Sequence, residues 1–322
     1  MKNVIRARSI WLLAMLGVAQ SAALACSSGS DRQCTIGADC ASGACNSDGT
    51  CVAVTSGASD SGTTLGDGGG ANGSDGSAYT IDASSLACET DGGALGHDNL
   101  PIAAGLTATF EVATNETIDT AGTDNGDGSK TWDFTVSFAS DQSVIVQTLS
   151  PSGAWWAGDF TTATYASKLV QAQSTLGVFD YGANSLDLIG VVSPTSDGVS
   201  ETELTYATPI PILAFPLHMS QTWSTTSNVT GKLDGVTSFY SETYDSKIDA
   251  YGTVKTPYGN FAALRVGTLL TQNAGAVTKT RTYAWVTACF GTIAKATSTS
   301  MTNTGTPGEN FTQAAELMRL AP

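Results

Sequence analysis

The sequence predicts an all-β chain. It should hold one large antiparallel β-sandwich or strongly curved sheet at residues 88–322, preceded by a small disulfide module and a disordered linker. Three observations carry this expectation. Thr fills 39 of the 235 positions from 88 to 322, among many Val, Ile, Tyr, Trp and Phe, the residues that suit a pleated, half-buried surface. Only 13% of the chain is charged while 41% is hydrophobic, which disfavours surface helices rich in Glu, Lys and Arg. Apolar residues also alternate with period two. Leu106, Ala108, Phe110 and Val112 share one face of a strand, and Trp132, Phe134, Val136 and Phe138 share a face of the next.

Residues 1–25 read as an export signal. Lys2, Arg6 and Arg8 make a positive start, and residues 10–25 form an apolar stretch too short to span a bilayer comfortably, ending in small residues. Ala23-Leu24-Ala25 is an A-x-A cleavage site. The same residues followed by Cys26 resemble a bacterial lipobox, in which the Cys becomes the lipid-bearing N-terminus. The match departs from the usual pattern in placing Ala23 where Leu is common, with Leu24 one step late. The resemblance implies lipidation at Cys26 and a membrane partner reached through that lipid. The address implied is the cell envelope, at the outer membrane or cell surface, with release as a secreted protein the alternative.

Residues 26–53 combine a short polar leash with a cysteine module. Cys34, Cys40, Cys45 and Cys51 are separated by five, four and five residues, with almost no apolar side chains between them. A segment this small cannot hold a fold by burial and needs staples. Two disulfides serve in an oxidising compartment. Of three connectivities, the alternation common to small knotted modules favours Cys34–Cys45 with Cys40–Cys51. Zinc is the rival, though the tight C-x2-C pairs and a nearby His are missing. The string resembles a short Cys-rich element found behind the lipobox in surface lipoproteins of Gram-negative bacteria with large genomes, which implies location and no activity.

Residues 54–87 hold eight Gly, seven Ser and four Asp with no Lys or Arg. Such a segment buries too little apolar surface to offset its ordering entropy, and as a coil it reaches about 30–36 Å. It reads as a tether.

In the large domain, further strands are expected near 143–149, 160–166, 186–193, 199–207, 221–230, 236–250, 260–271, 277–288, 291–299 and 312–320. The segment 165–175 has weak helical character. Residues 124–128 (Asp-Asn-Gly-Asp-Gly) and 256–260 (Thr-Pro-Tyr-Gly-Asn) are turns between strands. Cys88 and Cys289 are expected to pair across the domain, two buried free thiols being the alternative. TWDFT, FPLHMSQTW and AYGTVKTPYGNFAALRV resemble β-rich extracellular domains of Gram-negative surface proteins. That likeness implies fold and address only, since such domains have no agreed activity.

The formal charge of -15 excludes nucleic acid as a natural partner, because an acidic surface repels phosphate. No motif for a cofactor or for catalysis occurs: no P-loop, dinucleotide fingerprint, H-E-x-x-H or G-x-S-x-G. The two histidines, His97 and His218, read as turn or surface residues, with a triad built on either as the rival. Asp133, Asp159, Glu201, Glu203, Glu242 and Asp245 read as solvated strand faces, or else as a carboxylate pair for glycoside hydrolysis. Asp119, Asp124, Asn125 and Asp127 make an oxygen-rich loop that does not fit a calcium frame, and no metal is expected there. Trp155 and Trp156 would point to opposite faces of a strand, leaving one ring near Tyr165 or Tyr181 to stack on a sugar or a surface-protein ligand. The leading expectation is a non-enzymatic envelope lipoprotein that displays a binding or structural β domain. Its rivals are an exported hydrolase acting on polysaccharide or protein, and a periplasmic carrier of lipid or lipoprotein.

Overall fold

The computed structural model describes residues 93–301 and 305–322. The signal, Cys26, the cysteine module with Cys34, Cys40, Cys45 and Cys51, the linker, and Cys88 lie outside the described residues.

Fourteen strands make up the domain: β1 (Thr107–Thr117), β2 (Thr123–Asp124), β3 (Lys130–Asp133), β4 (Gln142–Gln147), β5 (Tyr165–Lys168), β6 (Leu176–Tyr181), β7 (Ser185–Val192), β8 (Glu203–Ala214), β9 (Thr222–Leu233), β10 (Val236–Lys255), β11 (Asn260–Asn273), β12 (Val277–Thr287), β13 (Gly291–Ser298) and β14 (Gln313–Leu320). The all-β expectation holds. Of its two forms, the strongly curved sheet is the one observed. From β5 to β14 each strand pairs antiparallel with the next, β14 returns to β1, and β1 pairs with β4. Leu149 and Ala166 then exchange two backbone hydrogen bonds of 2.7 and 2.9 Å, joining the chain after β4 to β5. Twelve strands therefore follow one another around a nearly closed, barrel-like sheet, with this single bridge as its seam. Near-closure removes the free edges that invite pairing with other chains.

Residues 118–141, with β2 and β3, leave the ring and cover the convex face of β10–β14. They do so because β10 outruns its neighbour. β9 pairs with it only as far as Lys247, and β3 then takes the vacated edge in parallel, from Gly252 to Lys255. Gly252, at φ 154°, makes this possible, since a Cβ there would lie 1.9 Å from the Lys130 carbonyl oxygen. Trp132 and Phe134 pack under this cover against Trp285, with ring centroids 5.7 and 4.8 Å apart. A second cover, residues 150–164, lies on the convex face of β5–β7. Its Phe160 ring sits where a side chain on Gly190 would clash at 2.1 Å.

The concave face holds Tyr165, Phe179, Leu188, Ile210, Val229, Ile248, Leu264, Val266 and Val286 as one cluster. Most strand expectations stand within a few residues, and both turns appear where expected, at β2–β3 and β10–β11. Two do not stand. Residues 165–168 are strand and 169–175 a turn, so the helical reading of 165–175 fails. The face of Trp132, Phe134, Val136 and Phe138 is broken after Asp133: Trp132 and Phe134 are buried, yet Val136 is 60% exposed where the chain turns towards β4.

Candidate functional site

Because the strands alternate in direction, the hairpin turns gather at two mouths of the sheet. One mouth collects the turns at 182–184, 215–221, 256–259 and 288–290, which contain no Asp, Glu, Lys or Arg. The turns of the opposite mouth supply Asp197, Glu201, Asp234 and Glu309 and no Lys or Arg. A chain of net charge -15 has thus kept the hairpin turns of one end neutral.

The neutral mouth is aromatic. Tyr258 on the β10–β11 turn, Phe261 at the start of β11 and Phe290 on the β12–β13 turn form a mutually packed trio. The Phe261–Phe290 centroids are 5.0 Å apart, and Tyr258 lies 6.2 and 6.0 Å from the other two rings. Phe290 is 51% exposed and Tyr258 46%. Beside them Cys289 is disulfide-bonded, and its N–H donates to the Asn99 carbonyl at 2.8 Å. The other six cysteines lie outside the described residues.

The first described segment is fastened to this same mouth. Leu95 and Leu217 exchange backbone hydrogen bonds of 2.9 and 2.8 Å. His97 stacks on Tyr181 at 4.3 Å with Phe215 edge-on, and its Nδ1 meets Asp98 at 2.7 Å. The Tyr181 hydroxyl donates towards the His97 and Leu100 carbonyls at 2.6 and 2.9 Å. Burial, with a smaller push from Asp98, raises its pKa to about 12. His97 therefore works as a packing residue. His218 is exposed, its Nδ1 3.2 Å from the Met219 carbonyl, and the structure brings it to no carboxylate partner.

The acidic mouth is fastened by charge. Asp249 grips Arg265 with two bonds of 2.9 Å, and Arg265 also donates to Asn310 at 2.9 Å and to the Thr120 carbonyl while lying 4.2 Å over the Tyr283 ring. One buried ion pair thereby holds the loops after β1 and before β14. Arg281 reaches Glu309 at 2.6 Å on the same β13–β14 loop. Across the concave face, Lys295 donates to the Leu169 carbonyl at 2.5 Å, and Glu316 accepts the Gln171 N–H at 2.8 Å. Both come from the wall opposite β5 and clamp the 169–175 turn. Burial lowers the Lys295 pKa, and the Glu316 carboxylate opposes that shift.

Glu242 is buried rather than solvated, which corrects the reading of it as a surface carboxylate. The Tyr206 and Tyr244 hydroxyls donate to it at 2.8 and 2.9 Å and Gln272 at 2.9 Å. Burial, reinforced by this carboxylate, raises both tyrosine pKa values well above the ordinary range. Asp245, three residues on, accepts from Ser224 at 2.7 Å on the other face. Asp133 is exposed, 3.6 Å from Lys255, and the Thr135 hydroxyl and N–H lower its pKa.

Three of the named carboxylates do converge. Asp159 on the second cover hydrogen-bonds Glu203 at the start of β8, with Glu201 close by. Burial first, then Asp159 and Glu201, raise the Glu203 pKa, while Lys232 works against the shift. Glu201 precedes β8 and is buried rather than on a solvated strand face, which corrects its reading too; it accepts from Ser196 and lies 3.7 Å from Lys232.

The oxygen-rich loop spends its carboxylates on itself. Asp119, Asp124 and Asp127 accept from the backbone N–H groups of Ala121, Gly126 and Ser129, each at 2.8 Å. It borders a polar depression of about 490 Å³ with Asn125, Thr131, Asp133 and Lys255. Among the described residues, no group of three or more His, Cys, Asp or Glu is placed to hold a metal ion. Trp155 and Trp156 sit in the turn-rich second cover, not on a strand. Trp156 is buried edge-on to Phe160, and Trp155 is half-buried with its indole N–H donating to the Ser193 carbonyl at 3.0 Å. Neither ring stands free for stacking; the exposed rings are those of Phe239, Tyr251, Tyr258 and Phe290, of which the last two stand together. Comparison with protein-family models, curated proteins and solved structures finds no match to this chain.

Proposed function

We propose that this chain is a cell-envelope lipoprotein. Cys26 carries the lipid, residues 27–92 space the anchor from the sheet, and the barrel-like domain is displayed for binding or structural duty rather than for turnover. The observation that carries this reading is the disulfide at Cys289, since disulfides persist in oxidising compartments outside the cytosol. The cysteine count agrees. Seven is an odd number, and Cys26 stands where a lipobox would consume the one left over. The intact mass of the mature N-terminus from a Gram-negative host tests it, with Cys26→Ala as control. A diacylglyceryl and acyl increment on Cys26, lost in the control, is expected. An unmodified N-terminus in the soluble fraction overturns the reading.

The meeting of Asp159 with Glu203 supports a second reading, an exported hydrolase acting on glycans. A carboxyl whose pKa burial and a neighbouring carboxyl raise, as at Glu203, has the character of a general acid. Turnover on a glycan panel that Glu203→Gln abolishes would establish it. Flat activity from both proteins removes it.

A further inference from the structure

We propose that the neutral mouth is a membrane-contact surface, on which Tyr258, Phe261 and Phe290 lie in the headgroup region of the bilayer that holds the chain's own anchor. This deepens the lipoprotein reading and rests on it. Three features of the fold converge on it. Tyr258 and Phe290 are exposed, packed on half-buried Phe261 and carried on two turns without a charged residue, so the two exposed rings enter an interfacial layer without desolvating an ion of their own turns. Tyr258 adds an apolar ring with a polar tip, the character that favours bilayer interfaces. The acidic hairpin turns stand at the opposite mouth, so anionic headgroups meet fewer carboxylates at this one, where exposed Asp98 beside His97 belongs to the fastened segment.

The route of the chain says which surface comes within reach. The first described segment is fastened at the neutral mouth through Leu95, His97 and Asn99, beside the disulfide-bonded Cys289 that precedes Phe290. The described chain therefore begins at the end that carries the rings. The tether expected at residues 54–87 has a coil reach of about 30–36 Å. Such a tether holds the domain at a local concentration on the order of millimolar at the membrane. A three-ring patch then needs only weak intrinsic affinity to stay down. A second copy of the chain and a glycan are the other occupants such rings fit, and both are outcomes of the test.

The test uses the full lipidated chain in vesicles of phosphatidylethanolamine and phosphatidylglycerol, with and without dibromo-phosphatidylcholine. Two single variants are compared with the parent: Phe290→Trp at the neutral mouth, and Phe239→Trp, an equally conservative change at a position 74% exposed near the acidic mouth. The expected result is a blue-shifted added emission from Phe290→Trp that brominated lipid quenches, and an unquenched signal from Phe239→Trp. Equal insensitivity of both variants in protein whose N-terminal mass shows the lipid overturns the contact surface while leaving the anchor standing. A missing lipid mass, by contrast, removes the anchor itself. Sedimentation as a dimer that Phe290→Ser dissolves, or an added emission shifted by glycan and not by lipid, overturns the proposal in favour of those occupants.

Discussion

The two mouths of the sheet solve one problem with different chemistry. At the neutral mouth the loops are held by rings and a covalent staple: His97 on Tyr181, the trio around Phe290, and the disulfide at Cys289. The loops that spring from the acidic mouth are held by charge along the sheet: Asp249 with Arg265 in mid-strand, Arg281 with half-exposed Glu309, and Lys295 and Glu316 clamping the 169–175 turn. The difference teaches where each end can be disturbed. The covalent staple yields to reduction, whatever the rings contribute. Buried charges resist reduction but leave costly orphans when one partner is lost.

The largest effect is expected from breaking the charge side alone. Asp249→Ala strands the Arg265 guanidinium, and a loss of about 3–5 kcal/mol is expected in denaturant unfolding. Replacing both partners with apolar residues should recover much of it, because no charge is then left unpaired. Next comes the staple. Cys289→Ser should cost about 2–4 kcal/mol, and reductant should reproduce that loss in the parent and leave the variant unchanged.

High pH sharpens the comparison further. Tyr181 at the neutral mouth is raised to about 12, and Tyr206 and Tyr244 beside Glu242 are raised well above the ordinary 10.0. Each keeps its proton in the fold after the unfolded chain has lost it. Their contribution is therefore complete below pH 10 and falls as pH rises through the folded values. Stability is expected to decline above about pH 10, with all three tyrosines ionising later than free tyrosine in a tyrosinate absorbance titration. Lys295 acts in the opposite sense. Its lowered folded pKa penalises the fold below that value, and the penalty fades as pH rises towards 10.5, so Lys295→Met should flatten that part of the curve. The smallest effect belongs to Glu203. Its raised pKa penalises the fold above the folded value and not below 4.5, so Glu203→Gln should raise Tm slightly at pH 7 and leave it unchanged in acid.

The strands were legible because period-two alternation and Thr, Val and aromatic enrichment report a half-buried pleat directly. Near-closure was not, since a seam of one bridge between Leu149 and Ala166 leaves no pattern in either segment. The 165–175 segment misled because Ala, Lys, Leu and Gln favour a helix locally, while pairing with β6 overrides that preference. Among the site residues, Asp159, Glu201 and Glu203 were nameable, but their meeting depends on a cover segment folding back over β7. The buried charges did leave a signal. Arg265 in Ala-Ala-Leu-Arg-Val, Lys295 in Ile-Ala-Lys-Ala, and Glu316 and Arg319 in Ala-Glu-Leu-Met-Arg-Leu are lone charges inside apolar strand runs. A strand apolar on both faces has no solvated side for such a residue, so the charge must find a partner within the fold. Trp155 and Trp156 drew notice as adjacent aromatics, yet exposure depends on the loop that carries them, and that placed Phe290 outside and Trp156 inside.

Native-state hydrogen exchange on the full chain, comparing Asp249→Asn with Cys289→Ser, tests most directly whether the two mouths are fastened independently. Asp249→Asn should speed exchange in residues 118–122 and 305–312 and leave 93–102 and 288–291 protected, with Cys289→Ser giving the converse. Loosening of both mouths by either substitution would contradict the account.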